Sequence, residues 1–324
     1  MCYFTRLLGE IALFDPMAKG VLFEARTMSK FKSILFPIEF SQRDEAAAPF
    51  ILSMAQRYQA RVVLLHALLR PPPVFAPGMA FAIPASAEMS GIYPEAYDFK
   101  GAMETIQVDL RKFAETQFPK VDVECFVEFG DPAAIISEYA SNQHMDLIAM
   151  PTHGYGTFRR TLLGSVTAKI LHDSTVPVWT SAHTPEPGHR AHPKPRVIVC
   201  ALDMKPESRQ TLEAAFELAK DAGAKLELLT VPGDTVAPQA ATHHLQDLLA
   251  QVASTGVADI KDLPAQEPEG ASRSVAEAVR HLALHKRADL VVIGRGAIRN
   301  IGLGRLFATS YDIIRESPCP VLSV

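Results

Sequence analysis

Gly154 and the pair Gly164-Ser165 are separated by nine residues and follow the apolar run Leu147-Ile148-Ala149-Met150. Residues of these types at this spacing can hold a phosphate. Bare glycine backbone exposes N–H groups and the Ser165 hydroxyl adds a donor. A helix starting after Gly164 would turn the positive end of its dipole toward the same point. A plainer alternative competes, in which the glycines only permit a tight turn and Ser165 only caps a helix. Residue types alone do not separate the two. The loop contains neither G-x-G-x-x-G nor G-x-x-x-x-G-K-[ST], so it offers neither a dinucleotide fingerprint nor a Walker-type loop.

In an open α/β sheet, ligands gather beyond the carboxyl ends of the strands, where strand order reverses. That directs attention to Pro37-Ile38-Glu39, His66-Ala67 and Met150 onward. Glu39 ends an apolar run just ahead of a helical pattern, where its carboxylate can accept from a ribose or can serve the helix N-terminus. His66 reads as a core-edge residue rather than a catalyst, and His153 faces either a ligand or solvent. His281 and His285 lie four apart on a helical pattern, but a zincin needs Glu where Leu282 stands, so they read as a solvated face. His183, His189 and His192 have no companion ligand. Arg159 and Arg160 read as an exposed basic pair. No G-x-S-x-G elbow or triad context supports a nucleophile, and no acidic cluster supports metal-assisted phosphoryl transfer. No catalytic residue and no metal site is assigned.

The elements that must position these residues recur twice. Asp146-Leu-Ile-Ala-Met matches Asp289-Leu-Val-Val-Ile, and Val176-Pro177-Val178 matches Cys319-Pro320-Val321, both at an offset of 143. Nearer the front, Ile34 to Glu39 answers Ile198 to Asp203 at an offset of 164. The difference of 21 lies in the Pro-, Ala- and Gly-rich stretch from Arg70 to Tyr97, an inserted loop. In the first half, strands are expected near 33–38, 61–67, 121–127, 146–150 and 176–180, with helices near 43–58, 99–117, 132–143 and 161–173. In the second half, strands are expected near 196–202, 225–231, 257–261, 289–294 and 320–324, with helices near 206–222, 241–255, 272–287 and 305–316. Unalternated apolar strands separated by amphipathic helices specify an α/β fold. Two similar open, mostly parallel five-stranded sheets are expected, each with helices on both faces.

Residues 182–195, with four prolines and three histidines and no apolar period, read as a linker between domains 30–181 and 196–324. Residues 1–29 read as a non-structural extension. Glu10, Asp15, Lys19 and Glu24 interrupt any signal-like apolar stretch, and Met28 is the expected true start.

Composition excludes several classes. A chain of 324 residues, 48% hydrophobic and 21% charged, suits about two domains. A formal charge of −4 with interspersed signs leaves no footprint for nucleic acid or an anionic membrane. No apolar run of about eighteen residues is present to span a bilayer. The four cysteines, Cys2, Cys125, Cys200 and Cys319, form no C-x-x-C and read as small buried hydrophobes in a reducing cytoplasm.

Taken together, Ile34-Leu-Phe-Pro-Ile-Glu39, Leu64-Leu-His66, Met150-Pro-Thr-His-Gly154, Leu163-Gly-Ser-Val-Thr167 and Val176-Pro-Val178 resemble the universal stress protein family. Both halves look like its domains in tandem. The resemblance implies an adenine nucleotide alpha hydrolase-like fold and binding of ATP, ADP or AMP, with or without Mg²⁺. It further implies that Pro37, Ile38, Glu39 and Ala67 meet the nucleoside and that Met150 lines the adenine pocket. Gly154, Gly164, Ser165, Val166 and Thr167 would surround ribose and phosphates. Two departures stand out: Glu39 replaces Asp, and Pro151 replaces the first Gly and so removes an N–H donor.

The second half keeps Asp203 and Gly294, but the 143 offset puts Phe307-Ala308 where Gly164-Ser165 stand, and nucleotide is not expected to bind there in the same way. The resemblance also implies pairing through the last strand, within one chain or in a homodimer. Three functions follow: a stress-response nucleotide-binding protein, a nucleotide-free interaction module, and an ATP hydrolase or adenylyl-transfer enzyme. The third lacks a recognisable base or nucleophile.

Overall fold

A computed structural model describes residues 31–69, 99–152, 163–182, 191–203, 208–230, 250, 265–266, 274–294 and 309–324. The extension over 1–29, Met28, the 70–97 insertion, His153, Gly154, Arg159, Arg160, the strand expected at 257–261 and Phe307-Ala308 lie outside these residues.

The first half runs β1 (Ser33–Pro37), α1 (Gln42–Tyr58), β2 (Arg61–Leu68), α2 (Phe99–Gln117), β3 (Val123–Phe129), α3 (Pro132–Asn142), β4 (Leu147–Met150), α4 (Ser165–Asp173) and β5 (Val178–Thr180). The second half contributes β6 (Val197–Leu202), α5 (Ser208–Ala222), β7 (Lys225–Thr230), β8 (Ala265–Gln266), α6 (Val275–Lys286), β9 (Leu290–Ile293), α7 (Thr309–Glu316) and β10 (Val321–Ser323).

Both expected five-stranded sheets are present, and they join edge to edge into one ten-stranded sheet of order β3-β2-β1-β4-β5-β10-β9-β6-β7-β8. Pairing is parallel throughout except at the seam. There β5 and β10 run antiparallel, with Trp179 opposite Leu322 and Thr180 opposite Val321. The 143 offset carries Val178–Thr180 onto Val321–Ser323, so the repeated segment pairs with its own copy across a local twofold. The Thr180 hydroxyl adds a bond to the Val321 carbonyl at 3.3 Å. Pairing also covers an apolar edge that would otherwise template association: Trp179 is only 3% exposed, with Phe50 tilted against it at 5.7 Å.

Period-two alternation divides the core between the two faces of the sheet. Ile34, Phe36, Val62, Leu64, Ile198 and Cys200 turn to one face with residues of α1, α2 and α5. Leu35, Val63, Leu65, Val199 and Val291 turn to the other with residues of α3, α4, α6 and α7. Because both faces are covered, the strands read as continuous apolar runs.

Two boundaries differ from the sequence expectation. α4 begins at Ser165 rather than near 161, since Gly164 takes the extended N-cap conformation with φ −59 and ψ 144. β3 spans 123–129 rather than 121–127, because its register on β2 starts at Val62 opposite Val123.

The repeated aspartates are structural. Asp146 and Asp289 each precede the central strand β4 or β9, at the end away from the strand tips that line the switch point. The Asp146 carboxylate accepts from the Lys32 N–H (2.8 Å), the Ser33 N–H (2.9 Å) and the Ser33 hydroxyl (3.0 Å). Asp289 accepts from the N–H groups of His192 (2.6 Å) and Arg196 (2.8 Å) and from the Arg196 guanidinium (3.4 Å). Burial opposes ionisation of Asp289, but these donors outweigh it and hold the carboxyl below its ordinary range. Each aspartate thus ties the entry of β1 or β6 to its neighbour.

Candidate functional site

Strand order reverses between β1 and β4, the switch point of the first half. Pro37, Ile38 and Glu39 emerge from β1 on one side of it, and Met150, Pro151 and Thr152 from β4 on the other. Ala67 lies near the end of β2, half-buried. Pro37, Ile38, Met150 and Thr152 are buried, whereas Glu39 is exposed.

The β1–α1 turn is tightly fixed. The Ile38 N–H donates to the Leu65 carbonyl at 2.9 Å, and the Ile38 carbonyl lies 2.7 Å from His66 Nδ1. Since a carbonyl only accepts, Nδ1 carries the proton. Phe40 adopts a left-handed conformation at φ 58 and its ring lies tilted against His66 at 5.3 Å. Left-handed backbone costs a residue with a Cβ roughly 1–2 kcal/mol, which the surrounding contacts must offset. Asp44 closes the turn: its Oδ2 accepts from the N–H groups of Glu39 (3.1 Å) and Ser41 (2.7 Å) and from the Ser41 hydroxyl (3.0 Å). Ser41 returns the bond to the Asp44 N–H, forming a capping box on α1. Burial pushes the Asp44 carboxyl above its ordinary range, against the Ser41 and Glu39 hydrogen bonds and the nearby His66. His66 is therefore the core-edge residue expected, and it also braces the turn that carries Glu39.

On the β4 side the chain folds back onto the start of α4. The Gly164 N–H donates to the Thr152 carbonyl at 2.9 Å. The buried Thr167 hydroxyl reaches the Pro151 carbonyl at 3.3 Å and that of Thr152 at 3.5 Å. Thr152 and Gly164 are thereby held together, with the segment containing Gly154 between them. Thr167, expected near the phosphates, uses its hydroxyl to close this loop, leaving its backbone N–H as the group to consider. Ser165 is not the helix cap. Gly164 occupies the N-cap position, and among the described residues no side chain caps α4. By contrast, Ser41, Asp131 and Ser274 cap α1, α3 and α6. An uncapped start leaves the N–H groups of the first turn and the positive dipole end for another acceptor. Ser165 is exposed and Val166 half-buried at that start.

Sequence reasoning placed Pro37, Ile38, Glu39, Ala67, Met150, Gly164, Ser165, Val166 and Thr167 at or near one switch point, and the structure puts them at the tips of β1, β2 and β4 and the first turn of α4. It missed Phe40, Asp44 and Thr152. The Ser41-x-x-Asp44 spacing is a local signal from which the capping box could have been read; nothing local announced the left-handed Phe40.

In the second half, two of the corresponding positions, Asp203 and Gly294, are engaged by neighbouring side chains. Asp203, after β6, accepts the Ser208 hydroxyl at 2.8 Å, so the strand-end acid serves the start of α5. Gly294 is required by packing: a Cβ there would sit 2.7 Å from Thr211 Oγ1. His281 and His285 stack at 6.4 Å on the exposed face of α6. Among the described residues, no group of three or more His, Cys, Asp or Glu is placed to share a metal ion, and no helix is long and apolar enough to cross a membrane.

Comparisons with known proteins agree with this architecture. The Universal stress protein MJ0577 of Methanocaldococcus jannaschii is 26% identical over 156 residues, covering 46% of this chain and 93% of that protein. A universal stress protein structure from Archaeoglobus fulgidus superposes with a TM-score of 0.62 at 20% identity, covering 90% of this chain and 95% of that one. The structure of a protein of unknown function, PA1789 from Pseudomonas aeruginosa, gives 0.59 at 17% identity over 92% and 93%. These two structures support the tandem fold. The Universal stress protein family model matches residues 30–181 and again residues 195–324, and the chain therefore belongs to that family.

Proposed function

We propose that residues 30–181 form a domain that binds ATP or a related adenine nucleotide at the β1–β4 switch point. Residues 196–324, beyond a 182–195 linker, form a second domain that supports or regulates the first. The observation that carries this reading is the start of α4: a helix with Gly164 at its cap, no side-chain cap among the described residues, and Glu39 exposed across the switch point.

Each part has a chemical task. The first-turn N–H groups of Ser165, Val166 and Thr167 would donate to phosphate oxygens, as would backbone near Gly154. Glu39 would accept the ribose hydroxyls. The backbone of Ile38 and Ala67, with the Pro37 and Met150 side chains, would flank the nucleoside. Mg²⁺ would be held by the phosphates and water, since among the described residues no group of three or more acids gathers at the switch point. Pro151 fits this arrangement, because its missing N–H is not one of the donors used and its carbonyl is occupied by Thr167. The function is binding and response to nucleotide level, in a stress-responsive protein.

The test is to denature natively purified protein and identify any released small molecule, then to titrate stripped protein with ATP by calorimetry. One equivalent of adenine nucleotide per chain is expected. Absence of both copurifying nucleotide and measurable heat at millimolar ATP would overturn the reading in favour of a nucleotide-free interaction module.

A further inference from the structure

We infer that His66 is a positioning residue that sets the ribose selectivity of the site, acting through the backbone of Glu39. This inference rests on nucleotide binding at the β1–β4 switch point. Glu39 is an exposed carboxylate on a backbone constrained from three directions. On its N-terminal side, Ile38 is held at both ends, its N–H by the Leu65 carbonyl and its carbonyl by His66 Nδ1–H at 2.7 Å. On its C-terminal side, left-handed Phe40 lies against the His66 ring at 5.3 Å. Its own N–H is held by Asp44 at 3.1 Å. His66 thus touches both neighbours of Glu39.

The physical consequence concerns geometry more than charge. A carboxylate contributes Coulombic attraction or repulsion from many positions, but it accepts from two vicinal hydroxyls only when its backbone is held within a fraction of an ångström. Glu39 carries one methylene more than the Asp it replaces, so its carboxylate has one more rotatable bond and depends more on a fixed Cα. Loosening the Ile38 carbonyl should leave phosphate binding at α4 in place and degrade discrimination between ribose and 2′-deoxyribose. A residue that only stabilised the fold would lower both affinities together.

Two amide variants isolate the bond. In His66→Asn the amide nitrogen falls where Nδ1 stood and can still donate to Ile38, whereas in His66→Gln it falls where Nε2 stood and cannot. Both lose the ring, so their difference reports the hydrogen bond alone. Calorimetric affinities for ATP and 2′-deoxyATP are measured on each preparation, and their ratio cancels any loss of folded fraction.

The wild type is expected to prefer ATP by about tenfold, the scale of one well-placed hydrogen bond to a charged acceptor. His66→Asn should retain most of that preference, and His66→Gln should fall to about equal affinities, as should Glu39→Ala. A wild type that binds neither nucleotide overturns the proposed function itself. A wild type that binds both equally, or a His66→Gln protein that keeps the full preference, overturns the role of His66 while leaving nucleotide binding intact. Should His66→Gln not fold, His66→Phe, which keeps a ring against Phe40 and lacks the donor, carries the same prediction.

Discussion

The two switch points of this sheet are built on one plan and finished differently. In the first, the strand-end acid Glu39 is exposed while a neighbouring residue, Asp44, satisfies the turn, and the glycine at Gly164 leaves a helix start uncapped. In the second, the strand-end acid Asp203 is drawn to Ser208 at the start of α5, and the Gly294 position is crowded by Thr211. The lesson is that an acid and a glycine in register do not by themselves make a site. Among the described residues, the halves differ in which groups close the strand tips: Asp44 beside Glu39 closes the first turn, whereas Asp203 itself takes the Ser208 hydroxyl and Gly294 packs against Thr211. The opposite edge shows the reverse, since Asp146 and Asp289 do the same work in both halves.

The largest effect expected from breaking this contrast is in Gly164→Phe, which copies the residue at the corresponding position of the second half. The φ of −59 at Gly164 suits any residue, so the fold should survive. A bulky ring over the α4 start should weaken ATP binding by more than about 100-fold, roughly 3 kcal/mol. Unchanged calorimetric affinity would contradict the assignment of the site.

Next come the shared aspartates. Asp146→Ala and Asp289→Ala each strand part-buried N–H groups and should each lower stability by about 1 kcal/mol in urea unfolding, while leaving nucleotide affinity within about twofold. The Asp289 carboxyl is held below its unfolded value, so its contribution is complete above about pH 4 and disappears as pH falls through the folded value. Asp289→Ala should accordingly flatten the acid limb of the stability profile. An acid limb identical to wild type would show that Asp289 is not a source of it.

Gly294→Ala should cost about 1–2 kcal/mol, because the new methyl meets the buried Thr211 hydroxyl. Adding Thr211→Ala should return part of that loss in a double-mutant cycle, and strict additivity would refute the packing account. The smallest difference is expected between the two strand-end acids. Asp203→Asn should shift stability by under about 1 kcal/mol and leave ATP affinity alone, whereas Glu39→Gln should weaken ATP binding several-fold with little change in melting temperature. Equal effects on affinity would erase the distinction between the halves.

Particular residues show how far the sequence could be read. Continuous apolar runs at 34–38 and 61–65 specified parallel strands because a doubly covered sheet leaves no polar face, and the 143 offset exposed the duplication. Gly164 and Glu39 were legible as candidates since their types are unusual beside a strand end. The boundaries of α4 and β3 were less legible, because helix starts and sheet register depend on partners distant in the chain. Asp203 and Gly294 kept the family pattern in the sequence, but nothing local announced Ser208 and Thr211 as their neighbours.

The amino-acid sequence alone therefore determined the alternation of elements, the tandem repeat and the family, since periodicity and glycine placement are local properties. Only the tertiary structure decided that the two sheets join through Trp179 and Leu322, that Phe40 is left-handed against His66, and that Asp203 meets Ser208 while Gly294 packs against Thr211. Those outcomes depend on which polar groups meet across space, and no local pattern encodes a hydrogen-bond partner a hundred residues away.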